Sequence, residues 1–440
     1  MACFILVFLL ISGVHSYDIN MLPNRSTIVH LFEWKWRDIA DECERFLAPN
    51  GFGGVQISPP SENLIIHKDG QRPWYERYQV MSYKLITRSG DQNDFLAMTK
   101  RCNSVGVRIY ADVVVNHMTG DSKDNKGTGG STADFNTYNY TAVPYIEKHF
   151  HFPHCELNNY YDANEVRNCE LVGLKDLNQT EEYVRKKIVR YFNKLIKYGV
   201  AGLRIDAAKH MWPNDLKEIY KQLNDLNPEY GFAPRTRPYI YQEVIYNSGE
   251  PIHPEEYTPF GDVTEFRAAI AFLLAHPYGK PRVMSSFFFD NTEQGPPSDE
   301  SENIISPSIN DDDTCGNGWV CEHRWRQIYN MVSFRNAVGN TNVGYWWDNG
   351  NKQIAFGRGR LGFIVFNGDN VELNQNLQTG LPQGRYCDVI SGKNIGAKCS
   401  GMTVDVDSNG RAHFYISQHA EDMHIALHVG IEVRHYIQGI

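Results

Sequence analysis

Short apolar runs alternate with amphipathic segments through the first two thirds of this 440-residue chain, and that rhythm restricts the fold more than any other feature. Thr27–Phe32, Gly53–Ser58 and Val107–Val115 read as strands, with helices expected at Asp38–Leu47 and Asp91–Cys102. The strand series continues at Gly202–Asp206, Tyr239–Glu243, Val263–Phe266 and Arg282–Phe289, with helices at Glu181–Tyr198 and Asn214–Leu226. Near-continuous apolar strands separated by helices predict a parallel sheet covered on both faces. At this length the expected class is α/β, a (β/α)8-type barrel.

Two stretches break the rhythm. Between Asn116 and Asn178 the sequence turns to Gly, Asn, Tyr and His with two cysteines. A structureless loop of that length is improbable, so 116–178 is expected to be an inserted subdomain. After about Asn342 short alternating segments with Gly-rich turns appear, among them Gln353–Gly357, Gly362–Phe366, His413–Ile416 and His424–His428. They predict an antiparallel β domain over 342–440, leaving 17–115 and 179–341 for the barrel.

Lys plus Arg number 43 against 52 Asp plus Glu, a net charge of −9 that argues against nucleic acid as a partner. The 22 Phe, 25 Tyr and 8 Trp supply flat apolar surface suited to stacking on sugar rings. Residues 1–16 read as a signal peptide: Cys3 to Val14 is apolar, and Val14-His15-Ser16 places small residues at a cleavage position. That run is too short to span a bilayer and no later one approaches twenty residues, so a secreted protein without membrane contact is expected. Removal of Cys3 leaves eight cysteines, an even number fitting an oxidising compartment. Spacing pairs Cys315 with Cys321, Cys387 with Cys399 and Cys155 with Cys169, which leaves Cys43 and Cys102 for a long-range bridge. Sequons stand at Asn24, Asn139 and Asn178.

Chemistry is expected where barrel strands end. Asp112-Val-Val-Val-Asn116-His117 runs from an apolar strand into Asn and His. In Gly202-Leu-Arg204-Ile-Asp206, alternation sends Arg204 and Asp206 to the same side, toward the interior. Tyr239-Ile-Tyr-Gln242-Glu243 delivers a second carboxylate. An inward cation demands an anion, and two carboxylates at adjacent strand ends above an Arg match a glycosidase pair.

Asp112–His117, Gly202–His210 and Tyr241–Val244, in this order and spacing, resemble the animal alpha-amylases of the large retaining starch-hydrolase family. Gly51–Pro60, Arg72–Gln79, Ser82–Gly90, His276–Ser286 and Cys315–Asn336 extend the resemblance over nearly the whole mature chain. The resemblance implies Asp206 as nucleophile and Glu243 as general acid/base. It assigns His117, Tyr160, Lys209 and His210 to sugar contacts, with Trp74, Tyr75, Tyr78 and Gln79 at stacking and hydrogen-bonding subsites. Asp112 would support the loop and metal region. A structural calcium would be held by Asn116 and Asp176 side chains and by the carbonyls of Arg167 and His210, an oxygen set suited to a hard cation. Arg204 and Arg282 match the two arginines of a chloride site. The implied partners are starch, glycogen or malto-oligosaccharides, acted on by a monomer.

The sequence departs from that family twice. An extra vertebrate disulfide is missing from both of its positions, Ile86 and Thr119. More consequentially, sixteen residues separate Glu265 from Arg282, where a helix, a strand and another helix need about 40. Arg267–Tyr278 provides one helix, so seven strands are expected and one βα unit is lacking. The family's Asn-His-Asp motif belongs to that block and occurs nowhere here. With it go a third catalytic carboxylate, a substrate histidine and a chloride ligand, so chloride binding is expected to be weak or lost and activity impaired. A glucan-binding homologue without turnover is the alternative expectation.

Overall fold

The computed structural model describes residues 18–253, 256, 268–392, 394–395 and 398–431. Six parallel strands form the central sheet: β1 (Ile28–Leu31), β2 (Gly54–Ile57), β3 (Arg108–Val113), β4 (Val200–Ile205), β5 (Tyr239–Gln242) and β6 (Arg282–Ser285). Their order is β5-β4-β3-β2-β1-β6, so the first strand pairs with the last, as in a barrel. Val263–Phe266, expected as a further strand, and the signal segment lie outside the described residues.

Strand register fixes which side chains face inward. Partnered residues on neighbouring parallel strands share a face. His30, Gln56, Tyr110, Gly202 and Tyr239 are aligned across five strands as one interior layer. Asp112, Arg204 and Tyr241 form the layer above it, nearer the C-terminal strand ends. The alternate residues Val29, Val55, Ile109 and Leu203 face the helices and are fully buried. Tyr110 plugs the floor, its hydroxyl bonded to the Ile19 carbonyl. Room for that ring comes from Gly54 and Gly202, where a Cβ would stand 2.4 and 2.9 Å from it. Among the described residues β5 and β6 do not pair with each other, yet one side chain joins them through the interior. Gln56 Oε1 accepts from Tyr241 Oη at 2.8 Å and from Arg282 Nη1 at 2.5 Å.

The helices α1 (Trp36–Glu42), α2 (Gln92–Ser104), α3 (Ala163–Asn168), α4 (Glu182–Lys197), α5 (Pro213–Lys221), α6 (Ala268–Ala275) and α7 (Arg326–Val338) follow the sequence punctuation closely. Asp91 caps α2 by accepting the Asn93 and Asp94 amides at 2.8 and 3.0 Å. The first helix is shorter than the Asp38–Leu47 expectation, because Cys43–Leu47 winds as a π-turn. The disulfide Cys43–Cys102 ties that turn to α2. Cys155–Cys169, Cys315–Cys321 and Cys387–Cys399 are also bonded, giving the four pairs that spacing predicts.

Residues 343–431 build an antiparallel β domain. Strands β7 (Val343–Asp348), β8 (Gln353–Arg358), β9 (Gly362–Asn367), β10 (Leu373–Gln378), β11 (Gly384–Cys387), β12 (Asn394–Ile395), β13 (Lys398–Cys399), β14 (Thr403–Val406), β15 (Arg411–Ile416) and β16 (His424–His428) follow in turn. The sheet β16-β9-β8-β7 serves two cores at once. Phe356, Ile364, Phe366 and Ala426 pack toward the barrel helices, while Ala355, Phe363, Val365 and Leu427 close the β domain's own core. Phe272 of α6 meets Phe356 with ring centroids 5.5 Å apart, which gives this wholly apolar helix a buried seat.

Candidate active site

The strand ends of β3, β4 and β5 converge on one guanidinium. Arg204 Nη1 donates to Asp112 Oδ1 at 2.8 Å and to Asp206 Oδ1 at 2.6 Å, and its Nη2 lies 2.7 Å from Glu243 Oε1. The Asp206 amide donates to the Val113 carbonyl and the Glu243 amide to that of Ile205, so both carboxylates sit one step beyond the ladder. The Glu243 carboxylate accepts the Ala207 amide at 2.9 Å, and Ala207 adopts a left-handed φ of 47° to present it. Asp112 and Asp206 are buried, and Glu243 is the more open of the three.

Three carboxylates around one cation cannot all stay ionised cheaply. Burial raises the pKa of Asp206, with Arg204 opposing and the neighbouring Asp112 and Glu243 adding to the rise. Asp112 is raised for the same leading reason. A neighbouring guanidinium by itself favours an ionised Asp206. The structure differs because that charge is divided among three acceptors, and the cluster titrates as a unit.

Sugar-contact candidates surround this cluster. Tyr78 Oη donates to Asp112 Oδ2 at 3.1 Å, and His117 Nε2 lies 3.1 Å from the Tyr78 carbonyl. A carbonyl only accepts, so Nε2 carries the His117 proton, and burial lowers this imidazole to about 4. Gln79 Oε1 accepts the Gly120 amide at 2.9 Å. Trp74 and Tyr75 are partly buried. Trp74 Nε1 donates to the Thr292 carbonyl at 2.9 Å, and the ring borders a cavity of about 230 Å3 lined also by Phe32, Met284, Phe287 and Phe289. Tyr160 lies against Lys209, whose Nζ is 5.3 Å from the ring centre, and its ring is 6.4 Å from that of His210. Lys209 is buried in an ion pair with Glu250 Oε2 at 2.5 Å. Sequence reasoning missed Glu250 and Gln56. Gln56 carried a signal, since its alternation with Gly54 on β2 points it inward.

The expected calcium donors fall into two neighbouring pairs. His117 and Asp176 share a β-bridge next to Asn116, while His210 Nδ1 bonds the Val166 carbonyl beside Arg167. Asn116 Nδ2 is turned to His117 Nδ1 at 3.2 Å, which leaves Asn116 Oδ1 buried without a hydrogen bond. The orphaned amide oxygen is a hard donor of the kind a calcium takes, while Asp176 Oδ2 lies 2.6 Å from His151 Nδ1. Among the described residues no three of His, Cys, Asp and Glu gather as a metal site. At the expected chloride site Arg204 is taken up by carboxylates, and Arg282 bonds Gln56.

Residues 57–286 match the alpha-amylase catalytic domain, and residues 346–430 match the alpha-amylase C-terminal all-beta domain. The chain belongs to the alpha-amylase family. An alpha-amylase of Tribolium castaneum is 52% identical over 474 aligned positions, covering 94% of this chain and 96% of that protein. One of Pecten maximus is 48% identical over 93% of each chain, and an alpha-amylase-related protein of Drosophila ercepeae is 46% identical. A crystal structure of a Glu-to-Gln mutant of alpha-amylase I from Eisenia fetida, complexed with maltohexaose, superposes with a TM-score of 0.86 at 38% identity, covering 93% of this chain and 98% of that one. The family consists of glycoside hydrolases that cleave α-1,4-glucosidic bonds and commonly bind calcium and chloride. The Tribolium alignment is longer than this chain itself, so that relative carries residues where this chain has none.

Proposed function

We propose that this alpha-amylase family member attacks internal α-1,4 bonds of starch, glycogen or malto-oligosaccharides by double displacement, with Asp206 as nucleophile and Glu243 as acid/base. The observation that carries this reading is the pair of carboxylates held on the two terminal nitrogens of Arg204. Two acids sharing one guanidinium support the close-set class of about 5–5.5 Å, in which the carboxylate attacks C1 and a covalent glycosyl ester forms. Glu243 first gives its proton to the departing glycosidic oxygen and then takes one from the water that hydrolyses the ester. Trp74, Tyr75, Tyr78, Gln79, His117, Tyr160, Lys209 and His210 line the path of the glucan. Asn116, Arg167, Asp176 and His210 would hold a calcium, whose role would be to brace the inserted subdomain against the barrel. Arg204 and Arg282 form a chloride site that is weak or lost, since both are already bonded within the protein. The chain is secreted after loss of residues 1–16 and acts as a monomer.

A second reading, a glucan-binding homologue without turnover, is favoured by one observation, the absence of any Asn-His-Asp segment. Reducing ends released from soluble starch by the purified chain decide between them. Release abolished by Glu243→Gln supports the hydrolase; starch binding with no release at any enzyme concentration supports the second reading.

A further inference from the structure

We propose that Tyr161 and Tyr246 form an additional glucan-binding rim beyond the leaving-group side of the cleft, an inference that rests on the glucan reading above. The rim is built from two segments that meet. From the inserted subdomain, Tyr160 packs against Lys209, and Tyr161 follows it with its amide fixed on Asn159 Oδ1 at 3.0 Å. From the barrel, the chain leaves Glu243 through Val244 and Ile245 to Tyr246, then turns at Gly249 and Glu250.

The Lys209–Glu250 ion pair pins these segments together, and Asn247 strengthens the pin by donating to Glu250 from its backbone at 3.2 Å and its side chain at 3.1 Å. Tyr161 reaches across to the same turn, where its Cε1 lies 3.8 Å from the position a Cβ would take on Gly249. Tyr246 rests on His253, ring centroids 5.0 Å apart. Both tyrosines are thus seated on one side and open on the other: Tyr161 is 70% exposed and Tyr246 39%. A pyranose offers an apolar C–H face that stacks on such a ring, while the phenolic hydroxyl remains free for sugar hydroxyls. Ile245, 63% exposed between Glu243 and Tyr246, continues the apolar surface from the acid/base to the rim. A chain leaving the catalytic centre along β5 therefore meets these rings once it extends past the sugar next to Glu243.

Calorimetric titration with maltotriose and maltoheptaose tests this in an Asp206→Asn background, which prevents turnover. Tyr161→Ala and Tyr246→Ala are each expected to weaken maltoheptaose by about threefold or more while leaving maltotriose unchanged, the loss of one stacked ring. Unchanged maltoheptaose affinity in both variants, or an equal loss for both lengths, overturns the rim alone. Failure of the Asp206→Asn parent to bind either sugar overturns the cleft reading first, and the rim with it. Melting curves matching the parent establish that the variants are folded.

Discussion

Arg204 Nη2 stands 2.7 Å from Glu243 Oε1, so the acid/base proposed above is tied to the same guanidinium that holds Asp206. Arg204 is largely buried with Asp112 and Asp206, and its removal leaves them and the more open Glu243 facing one another without a cation. Arg204→Leu should therefore destabilise the fold by about 3–5 kcal/mol, the usual result of breaking a buried pair from one side. Chemical denaturation at neutral pH measures it, and a loss under about 1 kcal/mol would show that the cluster relaxes freely.

Calcium should stabilise the chain, because Asn116 Oδ1 is buried with no other bond to make. A ligand bound only by the folded state raises the melting temperature by mass action. Melting with calcium is expected several degrees above melting with excess chelator, and Asn116→Ala should abolish the difference. Coincident curves for the unsubstituted chain would reject the site.

Acid should weaken the β domain over a definite window. His424 and His428 are buried on β16, and burial lowers each to about 4 from 6.5. The unfolded chain thus binds protons that the folded one refuses, so stability is full above pH 6.5 and falls as pH drops toward 4. Each histidine should cost up to about 3 kcal/mol across that interval. Unfolding free energy of His428→Gln should show a shallower pH slope than the parent; an unchanged slope would mean the imidazole is protonated without penalty.

Turnover on soluble starch should be severely reduced, at least about 10²-fold below a version carrying the family's missing block. The oxocarbenium-like transition state normally draws on a third carboxylate that this sequence lacks, and a misplacement of about 1 Å can itself cost about 10²-fold. Reducing-end assays at equal folded concentration make the comparison. Rates within about tenfold of each other would refute the expectation.

Whatever turnover remains should respond little to chloride at constant ionic strength. Both arginines already have protein partners, carboxylates for Arg204 and the Gln56 oxygen for Arg282. A severalfold rise with chloride but not with a larger inert anion would contradict this.

Strand alternation made much of this arrangement legible. The inward placement of Arg204 and Asp206, the positions of β1 to β5 and β6, and the four disulfides follow from period and spacing alone. What escaped were bonds between side chains on strands far apart in the sequence. Nothing local tells that Gln56 meets Arg282, or that Lys209 is neutralised by Glu250. The π-turn at Cys43–Leu47 was hidden as well, since its apolar pattern suits an ordinary helix. The charge balance of the active site was hidden too, because three acids share one guanidinium and a sequence shows each acid singly.

Gln56 has a temporal meaning too. Its two partners are 185 and 226 residues downstream, so the floor beneath Glu243 closes only after most of the polypeptide has been synthesised. Contacts of that span form late, after the loop-closure entropy has been met by other packing. A nascent chain would carry Asp206 and Glu243 for some time without the lattice that aligns them. A fragment ending before Arg282 lacks the bond through which Gln56 joins β6 to the interior.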